Sequence, residues 1–145
     1  MKSLTEPELK EFIDDLDRIA VSIGIIRQRG NMDANHPLTT ADTDALLLEE
    51  IKILRASARV TAQNITFNVV CIRTQLDALK TATLSMDKTL SRIKSVQAII
   101  DFSTLTIKIA DDFVSGDAIA FSASVDKLLV TISTLNGRAT TKRKA

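Results

Sequence analysis

The sequence contains few of the residues that β-rich folds depend on. Of its 145 residues none is Trp or Tyr, aromatic residues make up 3%, and there are only four Gly and two Pro. A β-sandwich needs frequent turns and uses aromatic cross-strand pairs, so this composition disfavours such a fold. Helices packed by Leu, Ile, Val and Ala suit it better, and the length is that of one domain with its own core.

Side chains for catalysis and metal binding are equally scarce. The one cysteine, Cys71, excludes an intrachain disulfide, and the one histidine, His36, lies in a predicted loop. A reactive thiol needs a nearby base, and a zinc ion needs about four ligands, which one Cys and one His do not supply. The Glu-x-x-His spacing of di-iron bundles, Gly-rich phosphate loops and the Gly-x-Ser-x-Gly motif do not occur in the sequence. We therefore expect a protein that is not an enzyme and that uses no metal or cofactor.

Long apolar runs are missing too. Residues 1–12 lack the apolar region of a secretory signal. The longest uncharged stretch in the middle of the chain, residues 60–72, is shorter than the ~20 residues of a membrane-spanning helix. We expect a cytoplasmic protein, unless it is exported by a route that leaves no such signal.

Capping residues and a glycine mark the predicted ends of the first helix. Thr5 at the N-cap, Pro7 in the first turn and Glu8 three residues after the cap form a capping box. In such a box the Thr and Glu side chains satisfy backbone N–H groups that the helix itself leaves free. Apolar residues then recur at steps of three and four until Gly30, which is a natural helix stop.

A turn-rich segment, residues 29–42, follows as the one clear loop of the sequence. It offers three candidate caps for the next helix, namely Thr39, Thr40 and Asp42. Further along the chain, Gly116 is a predicted stop and Asp117 a predicted cap of the last helix. That helix is expected to end at Gly137.

The central part of the chain, residues 41–115, contains neither Gly nor Pro and shows a seven-residue repeat of apolar positions. The repeat consists of Ile51, Ala58, Ile65, Ile72, Leu79, Met86, Ile93, Ile100, Ile107 and Val114. A companion stripe interleaves with it from Ala58 to Ile93, which is typical of a coiled coil or a helical bundle. We interpret the repeat as the seam along which helices pack.

These patterns predict an all-α fold. The expected architecture is an antiparallel helical bundle of about four helices, with coiled-coil-like heptad packing around a central long helical hairpin. Thr83 and Ser85 are candidate N-caps for the second helix of that hairpin, although the unbroken repeat also permits one long helix. Residues 1–137 are expected to form a single helical domain, and residues 138–145 a basic, disordered tail.

One segment allows a different secondary structure. Residues 103–123 contain a local two-residue alternation of apolar and polar side chains. Such alternation is typical of strands, so a β-hairpin that turns at Gly116 is the alternative to two helices.

A second apolar stripe predicts a surface for a partner. Leu46, Ile53, Val60 and Phe67 are spaced seven apart on the helix face away from the seam. A helix that is apolar on two faces must be covered on both. The first helix could cover the stripe, but it is shorter than the predicted second helix. We therefore expect a homo-oligomer, or a complex with another helical protein, held through these residues.

Charge is unevenly distributed along the chain, although the net charge is only +1. Residues 1–50 are mainly acidic and residues 51–99 mainly basic. The ordered basic positions and the basic residues of the tail are Lys52, Arg59, Arg73, Lys80, Lys94, Arg138, Lys142, Arg143 and Lys144. One interpretation is internal pairing between an acidic and a basic helix. The other is a basic face that contacts an acidic protein or a phosphate backbone.

The function that these observations favour is a non-enzymatic interaction or assembly protein acting through helix–helix contacts. A nucleic-acid-associated helical protein, using the basic stripe and tail, is the alternative. It is weaker because net charge is near zero and aromatics for base stacking are scarce. Reversible membrane association of amphipathic helices is a third possibility. Heptad spacing occurs in many unrelated proteins and identifies no family.

Overall fold

The chain forms helices separated by the breaks that its caps and glycines encode. The computed structural model describes residues 6–33, 36–62, 69–93 and 95–144. The elements of this part of the chain are α1 (Glu6–Arg29), β1 (Asn31–Asp33), β2 (His36–Pro37), α2 (Thr40–Ala62), α3 (Val69–Thr83), α4 (Met86–Ser91), α5 (Val96–Val114) and α6 (Ala118–Lys144). The predicted all-α class is confirmed.

The loop after α1 contains a short antiparallel ladder that the sequence did not predict. β1 and β2 pair through Asn31 opposite Pro37 and Asp33 opposite His36. The ladder follows Gly30, whose φ of +81° is a left-handed conformation that favours glycine. The predicted stop at this position is therefore confirmed.

The cap of α2 is a reciprocal pair of hydrogen bonds. The Asp42 N–H donates to the Thr39 hydroxyl over 3.1 Å, and the Thr39 N–H donates to the Asp42 carboxylate over 3.1 Å. This is a capping box with Thr39 at the N-cap, so two of the three predicted cap residues act together. The capping box predicted at Thr5 lies outside the described residues.

The turn between α5 and α6 decides between the two predictions for residues 103–123. Gly116 has a φ of +75°, and the Ala120 N–H donates to the Asp117 carboxylate over 3.0 Å. These are a helix stop and an N-cap, as the helical interpretation required. The β-hairpin alternative is wrong, because α5 and α6 occupy both sides of the turn.

The segment 41–115 is neither one long helix nor a simple two-helix hairpin. The predicted turn is present at Leu84 and Ser85, between α3 and α4. A second break separates α4 from α5, where the Ala98 N–H donates to the Ser95 hydroxyl over 3.1 Å and caps α5. The sequence pattern does not predict a helix start at Ser95, because the heptad repeat continues across this residue without a change of phase.

The predicted stop at Gly137 is wrong for the backbone, which is helical as far as Lys144. A single glycine inside a helix costs only about 1 kcal/mol relative to alanine, so it does not by itself end one. Basic residues near a helix C-terminus are also stabilised by the helix dipole. The division into a domain of residues 1–137 and a tail of residues 138–145 stays a prediction.

The helices surround a core of Leu, Ile, Val and Phe side chains. α2 lies between α1 and α5, and α6 lies between α5 and α3, while α3 and α4 also contact α1. Phe12 of α1, Phe113 of α5 and Phe121 of α6 meet at the centre, with ring centroids 4.7 to 5.7 Å apart. These ring contacts pack α1, near the start of the chain, against α5 and α6 in its last third.

One neighbouring pair departs from the predicted antiparallel packing. Polar contacts join α1 to α3 and α4 in the order Glu8–Arg73, Glu11–Lys80, Asp15–Thr83, Arg18–Thr83 and Ser22–Asp87. Residue numbers rise together on both sides of these contacts. α1 therefore runs parallel to α3 and α4. In an up-and-down bundle of sequential helices, by contrast, neighbouring helices are antiparallel.

Candidate interaction surface

The inner face of α2 is part of the core. Leu46, Ile53 and Val60 are each 0% exposed, and α1 and α5 flank the helix on its two sides. The prediction that these three residues form an interface is therefore wrong, because the chain itself covers them. Phe67, the fourth residue of that stripe, lies outside the described residues. The apolar pattern could not reveal that two helices, rather than α1 alone, would cover α2.

The outer face of α2 carries the exposed apolar side chains. Leu47, Leu48, Ile51 and Leu54 are 41%, 49%, 36% and 49% exposed. The heptad repeat predicts Ile51 in the packing seam, so the two apolar stripes exchange roles on α2, whereas the seam residues Leu79, Met86 and Ile93 are buried as predicted. α2 is the helix on which the sequence predicted an interface, but its opposite face is the one left open.

Two opposite charges lie on the same outer face. Asp44 and Arg55 are both exposed. No salt bridge joins either of them to another group in the described part of the chain. Exposed groups of this kind remain available to a partner. We refer to these two residues, with Leu47, Leu48, Ile51 and Leu54, as the outer face of α2.

Most of the predicted basic stripe is used inside the chain. The described salt bridges of its members are Lys52–Glu49 at 3.2 Å, Arg59–Asp111 at 2.8 Å, Arg73–Glu8 at 3.1 Å and Lys80–Glu11 at 2.8 Å. Internal pairing with the acidic first helix is thus confirmed for Arg73 and Lys80. The side chains of Lys94 and of the four basic tail residues lie outside the described part, so their predicted contacts remain predictions.

A buried carboxylate joins α1 to the end of α3. Asp15 is 2% exposed, and its Oδ1 accepts hydrogen bonds from the Thr83 hydroxyl at 3.1 Å and from Arg18 at 3.2 Å. Burial raises the pKa of Asp15 from 3.8 to about 6, against the opposing effects of the Thr83 hydrogen bond and the Arg18 charge. Helical spacing places Asp15 beside the apolar stripe of α1 and Asp14 on the opposite side, but it does not predict that the carboxylate is fully buried.

Asp15 lies beside a small cleft between α1 and α3. The cleft also has Glu11, Asp77 and Lys80 in its walls, and its volume is about 20 Å³. That is close to the space required by one water molecule, and far below the several hundred Å³ of a typical small-molecule site. A raised carboxyl pKa can mark a catalytic acid or a structural network. The size of the cleft and the two hydrogen bonds favour a structural role here.

A shallow basic groove follows the boundary between α2 and α5. It has a volume of about 240 Å³ and is lined by Lys52, Arg55, Arg59 and Ile107. Lys52 and Arg59 have carboxylate partners within the chain, as described above. In the described residues, no group of three or more His, Cys, Asp and Glu side chains is arranged to hold a metal ion.

Among the described residues, one helix satisfies the length and composition of a membrane span. The stretch Ala118–Leu135 of α6 is long and apolar enough, and 28% of it is buried within the chain. Phe121, Val125 and Leu128 of this stretch are each 0% exposed and belong to the core described above. A helix that contributes to a protein core passes the same test, so the observation is weak evidence for a membrane location.

The chain was also compared with known proteins. No protein-family model, no curated protein and no solved structure matches it.

Proposed function

We propose that the protein is a non-enzymatic interaction protein that self-associates through helix–helix contacts on the outer face of α2. A single observation carries the proposal. Four large apolar side chains within eight residues of α2, from Leu47 to Leu54, are each more than a third exposed, although the opposite face of the same helix is fully buried.

The exposed area of these side chains favours association. Fully burying a Leu or Ile side chain contributes about 1.5–3 kcal/mol, and these four side chains are already partly covered. The remaining gain on docking is smaller, but four neighbours on one helix face act together. Exposed apolar residues scattered singly need no explanation, whereas contiguous ones mark interaction surfaces.

Helix spacing supports a helical partner. Leu47, Ile51 and Leu54 follow one another at steps of four and three, which is the spacing that fits a second helix in knobs-into-holes packing. A surface of this kind needs no large cavity and no reactive side chain.

Light scattering coupled to gel filtration tests the proposal. We expect the apparent mass of the wild-type chain to rise with concentration over a wide range. Ile51→Asp with Leu54→Asp should stay monomeric and keep the wild-type helical circular dichroism, because both side chains are exposed. Val130→Asp is the matched control, since Val130 is 64% exposed on α6. A wild-type chain that is monomeric at every concentration would contradict the proposal.

Nucleic-acid association is the second candidate. It is favoured by the groove lined by Lys52, Arg55 and Arg59. Binding to a nucleic acid through phosphate contacts has an affinity that falls steeply as salt increases. Contact through the outer face of α2 should depend on salt only weakly. Titration of any observed binding against salt therefore separates the two candidates.

A further inference from the structure

Four residues of the outer face form a line with unusual symmetry. Asp44, Leu48, Ile51 and Arg55 are spaced four, three and four apart along α2. At 100° per residue, this spacing places them within about 60° of arc on one side of the helix. All four are exposed. The order along the line is an acid, two apolar residues and a base.

Reversing the direction of the line exchanges its acidic and basic ends and its two apolar positions. The line is therefore complementary to a reversed copy of itself. The midpoint between Asp44 and Arg55 coincides with the midpoint between Leu48 and Ile51. A two-fold axis at this point, perpendicular to α2, brings each acid of one copy opposite the base of the other. It also brings Leu48 opposite the partner's Ile51. Contacts related in this way define an isologous interface, which is the commonest kind in homodimers.

The charges at the midpoint do not oppose such an approach. Glu49 is 3% exposed and pairs with Lys52 over 3.2 Å. Glu50 forms an ion pair with Arg27 of α1. Both carboxylates are therefore neutralised within their own copy. Asp44 and Arg55, at the ends of the line, are the charges left for the partner.

We propose that a second copy of this chain docks on α2 in the antiparallel direction, with Asp44 of each copy facing Arg55 of the partner subunit. This inference rests on the proposed function and names its partner and register. Leu47 and Leu54 lie beside the line and extend the contact. Because one helix face per copy is small compared with stable dimer interfaces, we expect a reversible dimer that dissociates on dilution.

Charge reversal tests the register. D44R turns the two attractions in the dimer into two repulsions between cations, and R55D does the same with anions. We expect each variant alone to weaken self-association about tenfold, since exposed ion pairs are individually modest but occur twice. An equimolar mixture of D44R and R55D should form a heterodimer as tight as the wild-type homodimer, because both attractions are restored between the two chains.

A control with matched charge changes separates specific pairing from general attraction between oppositely altered chains. Asp126 and Lys127 are both exposed on α6, away from α2. D126R and K127D change the net charge as D44R and R55D do. We expect these control variants to self-associate as the wild-type chain does, with no preference for a heterodimer. Analytical ultracentrifugation of single and mixed samples measures all of these equilibria.

The outcomes distinguish the inference from the proposed function. If D44R and R55D self-associate as tightly as wild type, or if their mixture is no tighter than either alone, the antiparallel register is wrong. The proposed function still stands in that case, provided that Ile51→Asp with Leu54→Asp remains monomeric. A wild-type chain that never self-associates overturns both.

Discussion

The two faces of α2 carry the same kinds of residue, but one face is buried and the other is exposed. Leu46, Ile53 and Val60 on the inner face are fully buried, whereas Leu48 and Ile51 on the outer face are 49% and 36% exposed. Both stripes repeat at helical spacing, and neither is more apolar than the other. The inner face is buried because α1 and α5 both flank α2. Periodicity shows that a face can be covered, and neighbouring elements decide whether it is.

The largest expected effect comes from placing the same charge on each face of α2. Ile53→Asp buries an unpaired carboxylate and opens a gap in the core, so we expect it to lower the free energy of unfolding by more than about 4 kcal/mol. Ile51→Asp should change that free energy by less than about 1 kcal/mol, because its side chain can reach water. Urea unfolding followed by circular dichroism measures both. Equal losses of stability in the two variants would show that the assignment of inner and outer faces is wrong.

A smaller effect is expected at Asp15, a buried acid on α1. Because burial raises its pKa in the folded chain to about 6, folding favours the protonated form. Stability contributed by this group is therefore present below about pH 4 and is lost as the pH rises towards 6. The loss is roughly 3 kcal/mol, at about 1.4 kcal/mol per pKa unit.

Asp15→Asn should remove that loss, because the amide carries no charge and its oxygen can still accept from Thr83. We expect the stability of the variant, relative to the wild-type chain, to increase between pH 4 and pH 7. Asp14→Asn is the control, because the side chain of Asp14 is 47% exposed and forms an i,i+4 pair with Lys10 on the same helix. The explanation fails if the two variants show the same pH dependence in urea unfolding.

The smallest effect is expected from an exposed ion pair at the α2–α5 boundary. Arg59 and Asp111 are 49% and 54% exposed, so Arg59→Ala should lower the free energy of unfolding by no more than about 1 kcal/mol. Arg27→Ala is the comparison, because the side chain of its partner Glu50 is only 14% exposed. Leaving that carboxylate without its partner should cost more. A larger loss at Arg59 in thermal or urea unfolding would reverse the order.

Local signals predicted much of the fold correctly. The stops at Gly30 and Gly116 and the cap at Asp117 depend only on a few neighbouring residues, and all three are confirmed. The turn after Thr83 is also confirmed. The predicted helix end at Gly137 is wrong, because a glycine permits a helix end without requiring one.

The exposed apolar side chains of α2 lie on the helix for which an interface was predicted, but on its other face. Ile51 fits the heptad repeat, which predicts Ile51 in the seam and Ile53 on the face that contacts a partner. Both assignments satisfy the sequence pattern equally well. The acidic and basic segments, by contrast, did predict pairing between helices, as Arg73–Glu8 and Lys80–Glu11 show. Opposite charges on two helices indicate which helices pack together. Apolar spacing indicates this less directly, because one apolar helix face can pack against any other.

The sequence by itself determined the all-α class, the helix ends at Gly30, Thr39, Gly116 and Asp117, and the excess of apolar surface on α2, because these depend on interactions within a few residues. The tertiary structure alone decided which stripe of α2 became core, that α1 runs parallel to α3, and that Asp15, beside the apolar stripe of α1, is fully buried. These outcomes depend on where helices distant in the chain come to lie. Burial is a property of the whole assembly of helices, and no local pattern encodes it.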